Sequence, residues 1–400
     1  MDRRAPPVPS RPGLYVHVPF CLTKCPYCHF YSRSPFGRED VNRWLDALSL
    51  EAALYRDLFP PFDTVYIGGG TPSALTASEM GRLAAAIRGN FTIEPFSEWT
   101  VEVNPGDATA GLLAVYRDLG INRVNAGIQS FDDETLSFLG RRHDARQAAK
   151  AVEALRNAGF DNIGLDLLYG IPGQTVEEWL ETLSAALRYG PEHLSCYELT
   201  VEQGTPFSVL REKGVLPPLP EDLSLRFFME TSGRLTDSGY LHYEVSNFAR
   251  DASLRSGHNR KYWDHTPYLG LGPSAHSFLD GRRWWNGEDL DAWEKSLREG
   301  RRPAGGEEVL TAGQRCLESL FLGLRTSEGI SLDGFREEHG IDLLARQGGL
   351  VERSAAEGLL VVDGGALKPT VRGMAVADGL ARLFSESLSL RDGVSGPSGT

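Results

Sequence analysis

Three of the five cysteines in this 400-residue chain, Cys21, Cys25 and Cys28, fall inside eight residues as C-x3-C-x2-C. An alternating apolar run at 14–18, LYVHV, feeds straight into them. Pro19 and Pro26 break regular structure, so the three thiols lie on a loop able to wrap around one object. Three thiolates do not close the tetrahedral shell of structural zinc, and no distant C-x2-C completes it. Soft thiolates select zinc, Cu(I) or iron–sulfur. Three on one loop suit a [4Fe–4S] cluster whose fourth iron has no protein ligand, leaving a position where chemistry can happen. The competing reading is a zinc knuckle completed by His17 or His29.

Composition narrows the classes. A chain of 400 residues exceeds one ordinary core, so a barrel-sized domain and a smaller one are expected. A net charge of −13 argues against a nucleic-acid partner, since no excess of Lys and Arg exists to displace counterions. Five cysteines, mostly clustered, do not read as a disulfide framework; Cys196 and Cys316 read as small buried hydrophobes. No apolar signal run opens the chain and no apolar stretch approaches ~20 residues, so a cytoplasmic location is expected.

Residues 1–13 are proline-rich and expected to be disordered. Beyond them strand-like stretches at 14–18, 63–68, 99–103, 123–128, 162–167 and 193–199 alternate with helical patterns near 39–58, 77–89, 109–118, 133–158 and 175–189. Thr76…Glu79 and Thr175…Glu178 have capping-box spacing, and Gly159 and Gly190 stand where helices should stop. Six β-then-α units predict an α/β fold with a parallel sheet, either doubly wound or an incomplete barrel. In such folds the carboxyl ends of the strands carry the site. Here those ends hold the cysteine loop, the Gly68-Gly69-Gly70-Thr71-Pro72 turn, Glu102 between two valines, Gln129-Ser130 and Asp166, with Arg141 following on the next helix. A carboxylate amid apolar neighbours is costly to bury without a partner, and a ribose hydroxyl pair is a suitable one.

The cysteine loop resembles the signature of the radical SAM superfamily, where the open iron is chelated by the amine and carboxylate of S-adenosylmethionine (SAM). YVHVPFC…CPYC, GGGTPS, VEVNP, NAGIQSFD, LGRRHD and LDLLYGIPGQT resemble its coproporphyrinogen III oxidase-like branch, over about Leu14 to Thr205. The resemblance implies a partial, TIM-like (β/α)6 barrel over 14–215. It implies that Cys21, Cys25 and Cys28 hold the cluster and that Tyr15 and Tyr27 lie beside cluster and SAM. It further implies that Gly69, Gly70 and Thr71 meet the methionyl end, while Glu102, Gln129, Arg141 and Asp166 meet the nucleoside or a second ligand.

The segment 216–305 reads as a connector and an aromatic region, with LPPLPED marking a boundary. Its HNxxYW piece, His258-Asn259 then Tyr262-Trp263, groups an imidazole, a carboxamide and two large rings. Haem wants aromatic faces and an axial nitrogen. The alternative is a loop packed against the open barrel with His258 hydrogen-bonded in the core; His265 and His276 are further ligand candidates. Residues 306–384 suggest helices and a hairpin turning at Gly364-Gly365, a small winged-helix-like, mainly helical domain without a basic stripe, and 385–400 a flexible tail.

Two functions compete. One is oxygen-independent coproporphyrinogen decarboxylation, or another SAM-cleaving reaction on a tetrapyrrole. The other is haem delivery by a chaperone of the HemW-type group that shares the barrel. In the oxidases a further cysteine stands two positions beyond the third; this chain has His29-Phe30 there. HNxxYW and LRTSEGI resemble the chaperone group. That resemblance implies bound cluster, SAM and haem, with His258 as leading axial ligand. It also implies transfer to a haem-acceptor protein, a respiratory enzyme reached at the membrane. The oligomeric state, a homodimer included, stays open.

Overall fold

A computed structural model describes residues 11–388. Strands β1 (Gly13–Val18), β2 (Phe62–Gly69), β3 (Ile93–Val103), β4 (Arg123–Gln129), β5 (Ile163–Tyr169) and β6 (His193–Glu198) lie side by side in that order, all parallel. Between them run α1 (Arg38–Tyr55), α2 (Ala77–Asn90), α3 (Ala110–Asp118), α4 (Asp133–Phe138), α5 (Ala145–Asn157) and α6 (Val176–Arg188). This is the expected set of β/α units, and both capping boxes form. The single helix expected at 133–158 is two. Gly140 turns left-handed (φ 65°) and Asp144 caps a fresh start, which leaves Arg141 in the break.

The strands alternate strictly. Leu14, Val16, Val18, Val65, Ile67, Val101, Val124, Ala126, Leu165 and Leu194 face outward and are sealed by the helices. The intervening positions carry Tyr15, His17, Tyr66, Glu102, Asn125, Asp166 and Ser195. These polar side chains meet across skipped strands: Asn125 on β4 donates to the Tyr66 hydroxyl on β2 at 3.3 Å. Such contacts arise on the concave face of a curved sheet, so the lumen of the partial barrel is polar while its shell is the apolar core.

The sheet then grows beyond both edges of the six. After α7 (Pro206–Glu212) and α8 (Glu221–Asp237), the hairpin β7 (Leu241–Glu244) and β8 (Asn247–Ala249) adds antiparallel strands beside β6. The chain next forms α9 (Gly257–Trp263) and β9 (Tyr268–Leu271), the latter parallel to β1 on the opposite edge. Outside β9 follow the antiparallel β10 (His276–Leu279), β11 (Arg282–Asn286) and, after α10 (Leu290–Arg298), β12 (Ala304–Val309), making twelve strands. The connector expected at 216–305 is therefore part of the barrel: Phe227, Phe248, Leu271 and Trp293 join the same core.

A second core runs from Cys316 to Leu388. It belongs to α11 (Ala312–Gly323), β13 (Ile330–Ser331), α12 (Leu332–His339), α13 (Leu343–Ala356), β14 (Leu360–Asp363), β15 (Ala366–Pro369), α14 (Val371–Ala375) and α15 (Ala377–Ser387). Helix, strand, two helices and a hairpin, with sheet order β13-β15-β14, is the winged-helix arrangement. The hairpin turns at Gly364 and Gly365 (φ 59° and 79°), as a two-residue turn with positive φ at both positions requires.

Two expectations about the ends change. Residues 11–13 are ordered: Arg11 pairs with Glu94 at 3.2 Å and Gly13 begins β1. Ser385 and Leu388 are buried, so α15 extends past the expected start of the tail. The remainder of both expectations, 1–10 and 389–400, lies outside the described residues.

Candidate cluster and nucleotide site

The cysteine loop leaves the mouth end of β1 and is held at both sides. The Cys21 amide donates to the Arg33 carbonyl at 3.2 Å, and Arg33 donates back to Pro19 at 2.8 Å. The Cys28 amide bonds the Cys25 carbonyl at 3.1 Å, closing the turn that carries the second and third thiols. On the far side the Phe207 amide holds the Pro26 carbonyl at 3.1 Å. Cys21 is buried; Cys25 and Cys28 are part-exposed.

The glycine turn after β2 meets this loop backbone to backbone. Gly70 and Thr71 donate to the Val18 and Phe20 carbonyls, both at 2.8 Å. A Cβ on Gly70 would sit 2.7 Å from the Phe20 oxygen and 2.8 Å from the Val18 oxygen, so no larger residue fits. Gly69 has φ 104°, and a Cβ there would strike the His17 ring. The turn thus aims Thr71 at the cluster loop, where its hydroxyl donates to Cys21 Sγ at 3.3 Å.

Arg141, delivered by the break between α4 and α5, donates one nitrogen to Cys25 Sγ at 3.3 Å and approaches the Tyr27 hydroxyl at 3.4 Å. Its other terminal nitrogen binds the Gly127 carbonyl at 2.8 Å, and its Nε is buried without a partner. Gln129 ends β4 in a left-handed conformation (φ 66°), an uncommon state for a non-glycine residue. Its amide lies over Gly127 beside the same guanidinium, where a Cβ on Gly127 would lie 3.1 Å from Gln129 and 3.3 Å from Arg141.

Deeper in the lumen Glu102 accepts the Tyr66 hydroxyl at 2.8 Å and the Gly69 amide at 3.2 Å. Burial, then the nearby Asp166, pushes its carboxyl up to about 7. Burial likewise raises Asp166 to about 6, against the opposing hydrogen bond from Ser195. Two carboxyls in one polar chamber, both holding protons more tightly than in water, suit hydroxyl partners. Tyr15 stands beside them, its ring 6.2 Å from Tyr66 and its hydroxyl 3.0 Å from His17 Nδ1.

The donor set fits an iron–sulfur group and a charged nucleotide. Two side-chain donors already point at cysteine sulfurs, the pattern that tunes such clusters. The zinc alternative through His17 loses its ligand: both ring nitrogens are engaged, one by Tyr15 and the other 2.8 Å from the Tyr31 carbonyl. Among the described residues no group of three or more His, Cys, Asp and Glu is placed to hold a single metal ion.

The aromatic segment, expected as a loop, forms α9, set under the end of the barrel opposite the cysteine loop. His258 is 1 % exposed, with Nδ1 2.9 Å from the Thr64 hydroxyl and Nε2 2.9 Å from the Tyr262 hydroxyl. The Gly257 and His258 amides take the Glu98 carboxylate at 3.1 and 3.0 Å. Burial lowers the imidazole to about 3. Both ring nitrogens are thus hydrogen-bonded within the barrel floor, the arrangement of the core-packing alternative. Sequence reasoning also missed Tyr66, Asn125 and Ser195 as lumen residues. Their signal was present, as polar side chains two apart in otherwise apolar strands.

Comparison with known proteins matches this geometry. Residues 15–186 match the Radical SAM superfamily and 310–376 the HemN C-terminal domain. The chain belongs to the radical SAM superfamily, in its HemN-like branch. Within that branch it falls in the family of the heme chaperone HemW. It is 35% identical over 382 residues to the "Heme chaperone HemW" of Mycobacterium tuberculosis, covering 94% of this chain and 95% of that one. It is 33% identical over 351 residues to the Bacillus subtilis protein of the same name, covering 86% and 92%. The solved structure of Escherichia coli coproporphyrinogen III oxidase (HemN), a radical SAM enzyme, superposes with TM-score 0.81 at 26% identity, covering 94% of this chain and 91% of that one. No helix among the described residues is long and apolar enough to cross a membrane.

Proposed function

We propose that this protein is a haem chaperone that carries a [4Fe–4S] cluster and SAM, binds haem and delivers it to acceptor haemoproteins. The observation that carries the reading is the near full-length match to relatives named for that role. In this reading Cys21, Cys25 and Cys28 hold the cluster. Thr71 and Arg141 donate to the first two sulfurs, and Gly69, Gly70 and Thr71 present backbone and hydroxyl to the methionyl end of SAM. Glu102, Gln129, Arg141 and Asp166 receive the nucleoside, with Tyr15 and Tyr27 beside it. The cluster, when bound, supplies an iron able to chelate the sulfonium nucleotide and an electron for it. The acceptor is a respiratory haem enzyme, so membrane association is transient and runs through the acceptor; the chaperone itself works in the cytoplasm, as monomer or homodimer.

A second reading is favoured by the superposition on the coproporphyrinogen oxidase. Phe30, 67% exposed, stands where the resemblance places a further cysteine in the oxidases and offers no thiol chemistry. The discriminating experiment is anaerobic reconstitution with SAM and reductant, adding coproporphyrinogen or haem. The chaperone gives stable haem binding with an unaltered tetrapyrrole. Deoxyadenosine with protoporphyrinogen overturns it for the oxidase.

A further inference from the structure

Resting on the cluster assignment within that reading, we infer that Asp107 is a positioning residue. Its single carboxylate sets both hydrogen bonds to the cysteine sulfurs, holding Thr71 through Ser73 and Arg141 through Arg142. The two donors come from separate connections, Thr71 from the turn after β2 and Arg141 from the break between α4 and α5. Each nonetheless reaches its sulfur at 3.3 Å. Ser73 stands two residues beyond Thr71, in the short helical turn Pro72–Ala74. It is buried, and its hydroxyl donates to Asp107 Oδ2 at 2.9 Å while accepting the Asn104 amide at 3.0 Å. Arg142 follows Arg141 directly. One of its terminal nitrogens straddles the same carboxylate, 2.9 Å from Oδ2 and 3.1 Å from Oδ1. The connections that follow β2, β3 and β4 thus close on one side chain.

Asp107 is itself fixed. It ends the short helical turn Pro105–Asp107 after β3, where Pro105 presets the first φ. The Asp107 amide donates to the Asn104 carbonyl at 2.9 Å, and the Asn104 side chain accepts the Gly106 amide at 3.1 Å. The Arg141 side has no slack either: a Cβ on Gly140 would lie 2.7 Å from Pro26 in the cysteine loop. The levers are short, since only Pro72 separates Thr71 from Ser73 and nothing separates Arg141 from Arg142. Movement at Asp107 therefore reaches both sulfur donors, and hydrogen bonds of this length weaken quickly when bent or stretched. Charge adds to the geometry. Adjacent guanidinium groups repel, and Asp107 draws Arg142 to itself, leaving Arg141 to Cys25, Tyr27 and the Gly127 carbonyl. The Asp107–Arg142 pair is part-exposed, and pairs of that kind add little to global stability. Its effect is then felt at the cluster rather than in the melting temperature.

The test is the reduction potential of the reconstituted cluster in two variants. Asp107→Glu keeps the charge and moves the carboxylate; Asp107→Asn removes the charge. Lost sulfur donors make the potential more negative, whereas the bare loss of a nearby negative charge makes it less negative. The sign therefore separates positioning from a field effect. Both variants should shift to a more negative potential and release iron to a chelator several-fold faster, with Tm close to wild type. If both Asp107 variants fold poorly, Ser73→Ala and Arg142→Lys decide. Each frees one donor without changing the charge and should give a smaller shift of the same sign. An unchanged or less negative potential in Asp107→Glu overturns the inference alone. So does a lowered Tm with the wild-type potential, or the wild-type potential in both Ser73→Ala and Arg142→Lys. Wild-type protein that assembles no cluster overturns it together with the cluster assignment.

Discussion

Thr71 donates its hydroxyl to the Cys21 sulfur at 3.3 Å, joining the glycine turn of one strand to the cysteine loop of its neighbour. The bond exists because Gly70 lets the turn lie against the backbone of Val18 and Phe20. Hydrogen bonds to cluster sulfurs stabilise the reduced, more negative state. Thr71→Val keeps the shape and removes the donor. The variant should assemble its cluster with wild-type iron content and a more negative reduction potential; an unchanged potential in a spectroelectrochemical titration would remove Thr71 from that role.

Cys25 shares its sulfur with Arg141 and lies on the turn closed by the Cys28 amide. Cys25→Ala should abolish cluster iron and sulfide after anaerobic reconstitution. Full iron and sulfide in the purified variant would refute the cluster assignment.

Gly70→Ala tests the turn itself. Its Cβ would meet backbone oxygens on the neighbouring loop at 2.7 and 2.8 Å, atoms that move only if the loop moves. Such overpacking typically costs about 1–3 kcal/mol. The variant should fold with a lowered Tm and incorporate cluster poorly, whereas Gly81→Ala, at an open position, should do neither. Equal iron loading in both variants would show that the close approach is not needed.

Glu102 makes stability depend on pH. Its carboxyl is raised from 4.5 to about 7 by burial and by Asp166, so in this interval the unfolded chain has released a proton that the folded chain still holds. The unfolded state then binds fewer protons, and stability falls as pH rises through the interval. Glu102→Gln should flatten that fall in urea-unfolding midpoints of the cluster-free protein. A profile as steep as wild type from pH 4.5 to 7 would place the dependence elsewhere.

His258 is held by two hydrogen bonds in the barrel floor. His258→Ala removes the hydrogen bonds to Thr64 and Tyr262 and leaves a cavity under β1 and β2. A loss of about 2–4 kcal/mol in chemical unfolding is expected, and an altered visible spectrum of bound haem if His258 is the axial ligand. An identical spectrum would remove it from the axial role, and undiminished stability would show that its hydrogen bonds do not hold the floor.

How far the sequence reached differed by scale. Apolar alternation and capping boxes located the six consecutive parallel strands β1–β6, because those signals are local and each strand buries one face on its helices. The one helix expected at 133–158 hid a break, since helical periodicity resumes after Gly140 and nothing local announces that Arg141 is needed at Cys25. The aromatic segment was ambiguous for a related reason. Histidine beside tyrosine and tryptophan reads as a ligand surface, yet the same rings fill a barrel floor equally well.

By itself the sequence determined the sulfur loop, the β/α order and the glycine turn, since each depends on residues within a few positions of one another. Only the tertiary structure decided what those residues face. Pairing β9 with β1 turned His258 into the buried floor and left His276 on the open wall. The curvature that brings Tyr66 to Asn125 made a polar chamber of side chains scattered over the chain. Both outcomes depend on strand register between distant segments, a relation that composition and periodicity do not encode.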